Sequence, residues 1–276
     1  MASAQATGTT AQHHPTQGRT GVCEPGPGRA RDWAEIQERM LVPLYEAVYD
    51  RLEVGPATSV LGLGCRSGLA LLLAASRGAQ VAGLEPEAEL RQLARDRRLR
   101  VGADGRPGVD AGEIPRTAYS LVTVFEQLPG TADPARVVVE AARLTLGGGH
   151  VVLAAWGPPE RCESAAVLDV ARRRAGRTTA RDPFALSAPG GLEDLLTGTG
   201  LHLVGSGRVS CPFAYADLES AVRGLLSTGL YDGAVEFSGR ALVAKELEEI
   251  LHPYRLAGGA VRMANVFRYV IAEQLR

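Results

Sequence analysis

The chain reads as an α/β protein on a doubly wound, seven-stranded, mostly parallel sheet with a helical cap. Three observations predict that class. Short apolar runs alternate with helix-forming runs in units of about 30 residues, the rhythm of strand–helix–strand crossovers. One apolar run, Ser59-Val60-Leu61, breaks into Gly62, Gly64 and Gly68 and passes at once into a helix-forming stretch, Leu69 to Ser76. The next apolar run, Gln80 to Leu84, ends on Glu85-Pro86-Glu87, placing an acid at a strand end. A chain of 276 residues with 45% hydrophobic content can bury one large core, alone or with a cap.

The elements follow in order. Residues 1–30 are rich in Ala, Thr, Gln, Gly and Pro and are predicted to be a disordered tail, with His13-His14 an incidental pair. A domain over 31–276 begins with helices across 31–54. Trp33, Ile36, Met40, Leu41, Leu44, Tyr45 and Val48 recur there at helical spacing, and Pro43 marks a kink or break. Strand one is Ser59 to Leu63 and strand two Gln80 to Leu84. After a helix from Glu87 to Arg97 comes a short third strand around Leu99 to Val101. A Gly-, Pro- and Asp-rich loop fills 102–118. Strand four is Ser120 to Phe125, a helix covers Pro134 to Leu144, and Gly147-Gly148-Gly149 turns the chain into strand five, His150 to Ala155. Strand six is Leu201 to Cys211 and the final strand Val261 to Ile271. Two amphipathic helices, about Asp217 to Leu226 and Ala241 to Leu251, lie between them. Segments 157–189 and 213–258 have no part in a bare sheet and are expected to cap the substrate end.

Composition excludes several function classes. A net charge of −1, with arginines scattered among acids, gives no attraction to nucleic acid or an anionic membrane. Lys245 is the only lysine, a bias toward arginine of the kind high-GC, actinobacterial coding produces. Cys23, Cys65, Cys162 and Cys211 are far apart, without metal-ligand spacing, and read as free thiols of a cytoplasmic protein. No apolar run approaches the ~18 residues of a membrane span, and the N-terminus lacks a secretory core.

In open parallel sheets ligands sit at the carboxyl ends of the strands, so residues after strands one, two and four line the candidate site. Glycines in the first turn let backbone approach a nucleotide-like ligand. Glu85 can accept hydrogen bonds from both hydroxyls of a ribose. Glu126 follows strand four, faces the site and is the candidate general base. Trp33, Tyr45, Trp156, Tyr215 and Tyr231 are candidate substrate contacts. His150, His202 and His252 read as structural.

Leu61-Gly62-Leu63-Gly64-Cys65, Gly83-Leu84-Glu85-Pro86, the run Glu140 to Gly149 and the closing Asn265 to Ile271 resemble the class I S-adenosylmethionine-dependent methyltransferases of small molecules. Trp156-Gly157-Pro158-Pro159-Glu160 resembles a bacterial subgroup related to the quinone-biosynthesis methyltransferases, frequent in secondary metabolism. The resemblance implies that Gly64, Cys65, Arg66 and Gly68 hold the methionine part of the cofactor, and Glu85 with Pro86 the ribose. Ala103 and Asp104 would neighbour adenine, and Phe125 and Glu126 the methyl-transfer centre. Three positions depart from the pattern: Gly62 stands in place of an acid, Arg66 in place of the middle glycine, and Ala103 in place of a further acid. Arg66 would pair with the cofactor carboxylate, fill the pocket, or point to solvent.

The implied function is methyl transfer from S-adenosylmethionine, leaving S-adenosylhomocysteine, to a small-molecule acceptor, with antibiotic biosynthesis a fitting context. The alternative is a methyltransferase-fold protein that transfers no methyl group, an auxiliary subunit of a partner enzyme or a cyclisation or elimination catalyst. The chain would act as such a subunit or as a homodimer, without a metal.

Overall fold

The computed structural model describes residues 28–103, 118–176 and 182–275. Of the expected tail 1–30, residues 1–27, with His13, His14 and Cys23, lie outside the described residues, as does the adenine-side candidate Asp104, whereas Arg29 and Ala30 are not tail but the start of a helix. Helix α1 (Arg29–Asp32) runs into a π-helical turn, Trp33–Gln37, and a 3₁₀ turn, Glu38–Leu41. Helix α2 (Val42–Arg51) follows with Pro43 in its first turn, where a missing N–H costs nothing. Then come β1 (Ser59–Leu63), α3 (Leu69–Ser76), β2 (Gln80–Leu84), α4 (Ala88–Asp96) and β3 (Val101–Gly102). After them stand β4 (Tyr119–Val124), α5 (Pro134–Arg143), β5 (Thr145–Trp156) and α6 (Ala165–Arg174). The rest is β6 (Leu201–Ser210), β7 (Phe213–Tyr215), α7 (Leu218–Ser227), α8 (Asp232–Ser238), α9 (Arg240–Leu251), β8 (Val261–Met263) and β9 (Val266–Gln274).

Among the described residues the main sheet has seven strands in the order β3-β2-β1-β4-β5-β9-β6. Its strands are parallel except β9, which runs antiparallel between β5 and β6. Sheet alternation assigns side chains to two cores. Val60, Leu121, Val152 and Ala154 face the core beneath α2 and α3, while Leu61, Val122, Leu153 and Ala155 face the core beneath α5. Being covered on both sides makes β5 an unbroken buried run from Val151 to Trp156. Strand order reverses between β1 and β4, so the crevice at their carboxyl ends is the switch point of the sheet. Among the described residues no helix is long and apolar enough to cross a membrane.

Three details differ from the sequence reading. The glycine run 147–149 lies inside β5, not in a turn before it. Gly148 takes a φ of 79° there, where the β4–β5 register shifts between Tyr119 and Leu121, so the glycines serve a bulge and His150 is interior to the strand. The final strand divides in two, and β8 pairs with the unforeseen β7 in a separate two-stranded ribbon. Helix α8 was also unforeseen; seven residues between Tyr231 and Gly239 are too few to show a period.

The division rests on Asn265, which is 1% exposed. Its side-chain oxygen accepts from the Ser164 amide at 3.1 Å and its backbone carbonyl accepts from the Cys211 amide at 2.9 Å. Asn265→Ala leaves the buried Ser164 amide without its partner and is expected to cost about 1–3 kcal/mol in urea unfolding, with the fold retained.

Candidate active site

At the switch point the chain leaves β1 through Gly64-Cys65-Arg66-Ser67-Gly68. The amides of Gly64 and Cys65 both donate to the Leu84 carbonyl, at 2.8 and 3.1 Å, which fastens the turn to the end of β2. Gly64 (φ 62°) and Gly68 (φ 88°) are left-handed, and a Cβ on Gly68 would lie 2.3 Å from Leu99 Cδ1. Arg66 keeps the same left-handed backbone (φ 52°) although it is not glycine. Its side chain is largely covered and does not stand alone. The guanidinium lies 5.1 Å from the centre of the Trp33 ring, donates to the Thr228 carbonyl at 3.4 Å, and sits 3.7 Å from Glu87 Oε2. Arg29 completes the closure, bonding Glu87 at 2.8 Å and Asp232 at 2.6 Å.

Glu85 is 1% exposed. One carboxylate oxygen accepts from the Arg66 amide at 2.8 Å and the other from the Glu87 amide at 2.9 Å. Each oxygen keeps a second lone pair. Burial raises its pKa, against the pull of Arg66 and the two amides. Glu126, part-buried after β4, accepts a hydrogen bond from the wholly buried Tyr45 hydroxyl. Burial pushes its carboxyl up to about 8, helped by the negative charges of Glu38 and Glu85, while the Tyr45 bond and Arg66 act the other way. The Cys65 thiol is likewise driven well up, by burial first and then by Glu85, Glu126 and Glu38, so it is no nucleophile at neutral pH. Burial is the first cause of all three shifts, and the charges of Glu38 and Glu85 add to the shifts of Glu126 and Cys65.

Known proteins resemble parts of this chain. Residues 61–153 match the family described as a methyltransferase domain. Over 97 residues the chain is 38% identical to the ubiquinone biosynthesis O-methyltransferase of Serratia proteamaculans, covering 34% of this chain and 40% of that one. It is 30% identical over 136 residues to the methyltransferase GfsG of Streptomyces halstedii, covering 47% and 48%. It thus spans less than half the length of these curated relatives. A Bacillus halodurans C-125 structure described as a methyltransferase candidate superposes with a TM-score of 0.54 at 15% identity, covering 84% of this chain and 99% of that one.

The chain has the fold of a class I methyltransferase domain.

Within that domain the structure brings Gly64, Cys65, Arg66, Gly68, Glu85, Phe125, Glu126, Trp33 and Tyr45 to one place. Phe125 packs its ring 5.0 Å from Tyr45 and 6.0 Å from Tyr49. Pro86 is exposed just beyond Glu85, and Ala103 lies past the end of β3. The other aromatic candidates are engaged elsewhere. Trp156 packs among Phe184, Phe213 and Phe267, the Tyr215 hydroxyl donates to Gln37 at 2.8 Å, and that of Tyr231 to the Val167 carbonyl at 3.2 Å. Sequence reasoning missed Glu38, Arg29 and Gln127. The last covers the loop so closely that a Cβ on Gly64 would lie 2.8 Å from its own. The available signal for Glu38 was its place among the apolar positions Trp33, Ile36, Met40 and Leu41.

The departure at Gly62 also has a structural answer. Gly62 pairs with Gly83 across β1 and β2, and Cys65 with Leu71 fills the hollow over both. A Cβ on Gly62 would lie 3.0 Å from Cys65 Cβ, and one on Gly83 2.5 Å from Cys65 Sγ. Gly62→Asp is therefore expected to destabilise by about 2–4 kcal/mol, through crowding and an unpartnered carboxylate beside three others, read as a lowered denaturation midpoint. For Glu126 the sign is opposite. Its folded-state pKa of about 8 lies above the usual 4.5, so the folded state holds a proton the unfolded chain has lost, and stability drains as pH rises between those values. Glu126→Gln, which can still accept from Tyr45, should raise the melting temperature at pH 8.5 and flatten its dependence between pH 4.5 and 8.

Proposed function

We propose that this chain is an S-adenosylmethionine-dependent methyltransferase acting on a small molecule in bacterial secondary metabolism. The observation that carries the reading is the convergence of three carboxylates on the glycine loop at the strand ends: Glu85 holds the Arg66 amide, Glu38 the Leu69 amide, and both charges act on Glu126. Such a site suits a ligand bearing a sulfonium and an ammonium. Two further features support the fit. Trp33 Nε1 is buried with no partner, a donor free for a ligand, and the remaining lone pairs of Glu85 suit ribose hydroxyls. The names of the relatives, an O-methyltransferase of quinone biosynthesis and a Streptomyces methyltransferase, support the reaction class and the metabolic setting.

When bound, the cofactor supplies an electrophilic methyl group on sulfur. The protein's part is to orient and to exclude water. Gly64 to Gly68 would hold the amino-acid end, with Arg66 and Trp33 Nε1 presenting donors to a carboxylate. Arg29, Trp33 and Thr228 close the opening from the side of the N-terminal segment and α7. Glu126 is the group that can take a proton from an acceptor hydroxyl or amine, with Tyr45 holding its carboxyl in place.

The test follows from the charge. A cation entering this pocket favours ionised Glu126, so binding at pH 7 should release protons, and affinity should rise as pH climbs through about 8. Titration calorimetry with S-adenosylmethionine in two buffers of different ionisation enthalpy measures that release. S-adenosylhomocysteine, which lacks the sulfonium charge, should release fewer protons. Absence of binding by both compounds would overturn the reading and return the chain to a non-methylating role on the same fold.

A further inference from the structure

We propose that Glu38 is the acidic anchor of the glycine loop, a positioning residue that couples the loop's ligand-binding shape to docking of the N-terminal segment; this rests on the methyltransferase reading above. Position 62 cannot supply the anchor, because Cys65 and Leu71 occupy the space its side chain would need. Glu38 supplies it from another element. It is 1% exposed, and its Oε2 accepts from Ser67 Oγ at 2.6 Å and from Arg97 Nη1 at 3.0 Å. Its Oε1 accepts from the Leu69 amide at 3.1 Å. That amide is the first of α3, one of the helix-start donors with no partner of its own, and the cap residue Gly68 has no side chain to serve it. Arg97 closes the arrangement by donating to the Ser67 carbonyl at 2.8 Å.

Every group that Glu38 holds lies 29 or more residues away along the chain. Loop order and docking of residues 33–41 therefore form one equilibrium, which a ligand on the loop must shift as a unit. The same segment places Trp33 over Arg66, so the loop's anchor and its cover arrive together.

The test compares Glu38→Ala, Glu38→Gln and a control, Val167→Ala, which thins the buried core at α6 away from the loop. Two readouts are needed: calorimetric affinity for S-adenosylmethionine and S-adenosylhomocysteine, and amide exchange in the free protein. Glu38→Ala is expected to weaken both compounds, S-adenosylhomocysteine included, on the order of tenfold or more, and to lose protection at Leu69 and across 33–41 together. Glu38→Gln, which can still accept from the Leu69 amide, should fall between. Val167→Ala should lower the melting temperature while affinity and loop protection stay near the parent's. Unchanged affinity in Glu38→Ala, or a loss confined to S-adenosylmethionine, would overturn the proposal, the latter by making Glu38 a charge partner of the sulfonium. Should the parent bind neither compound, the methyltransferase reading fails, and unchanged protection at Leu69 in Glu38→Ala still overturns the anchor separately.

Discussion

The structure depends on how three carboxylates, Glu38, Glu85 and Glu126, are kept together at the ends of β1, β2 and β4. Clustering them opposes folding, because Glu38 and Glu85 disfavour ionisation of Glu126 where solvent screening is weak. The chain manages this with directed donors. Glu85 receives two backbone amides, Glu126 receives Tyr45, and Glu38 receives an amide, a hydroxyl and Arg97. Glu126 receives a single side-chain donor, and burial first, then the charges of Glu38 and Glu85, raise its carboxyl to about 8, a value suited to exchanging a proton near neutral pH.

The departures from the methyltransferase pattern take on another meaning in three dimensions. Arg66 adopts the left-handed backbone that the pattern's glycine would adopt, so the turn keeps its course. That conformation costs a non-glycine residue about 1–2 kcal/mol, offset here by the stack on Trp33 and the bond to Thr228. Gly62 is one of a facing pair of glycines whose shared hollow takes Cys65. The side chain absent from β1 and the carboxylate supplied by Glu38 are two sides of one rearrangement.

Much of the fold was legible because strand–helix alternation is a local, periodic signal. The runs ending at Leu63, Leu84 and Phe125 announced β1, β2 and β4, and with them the level at which a ligand would sit. What escaped was either too short or held by distant partners. β7 and β8 have three residues each and exist because they pair with one another across 45 residues of sequence. At the site, Glu85 and Glu126 were legible from their places after strands, and Trp33 and Tyr45 from helical spacing. The direction of the Arg66 side chain was not, since Trp33, Glu87 and Thr228 come from three separate elements. Tyr215 and Tyr231 were suggested by residue type alone, and type says nothing about which carbonyl or amide a hydroxyl finds.

The irregular start of the domain follows from the same demand. In a regular α-helix, residues five apart point about 140° away from each other, so Trp33 and Glu38 could not both face the glycine loop. Here the Glu38 amide bonds back to the Trp33 carbonyl, the i to i+5 closure of a π turn, which stacks the two residues on one side. The 3₁₀ turn that follows then restores the phase that sends Leu44, Tyr45 and Val48 into the core from α2. A plain helix over residues 31–54 would bury the same apolar residues but leave either the loop's anchor or Arg66's aromatic cover facing away. The distortion is thus a condition of the site rather than a flaw in the helix.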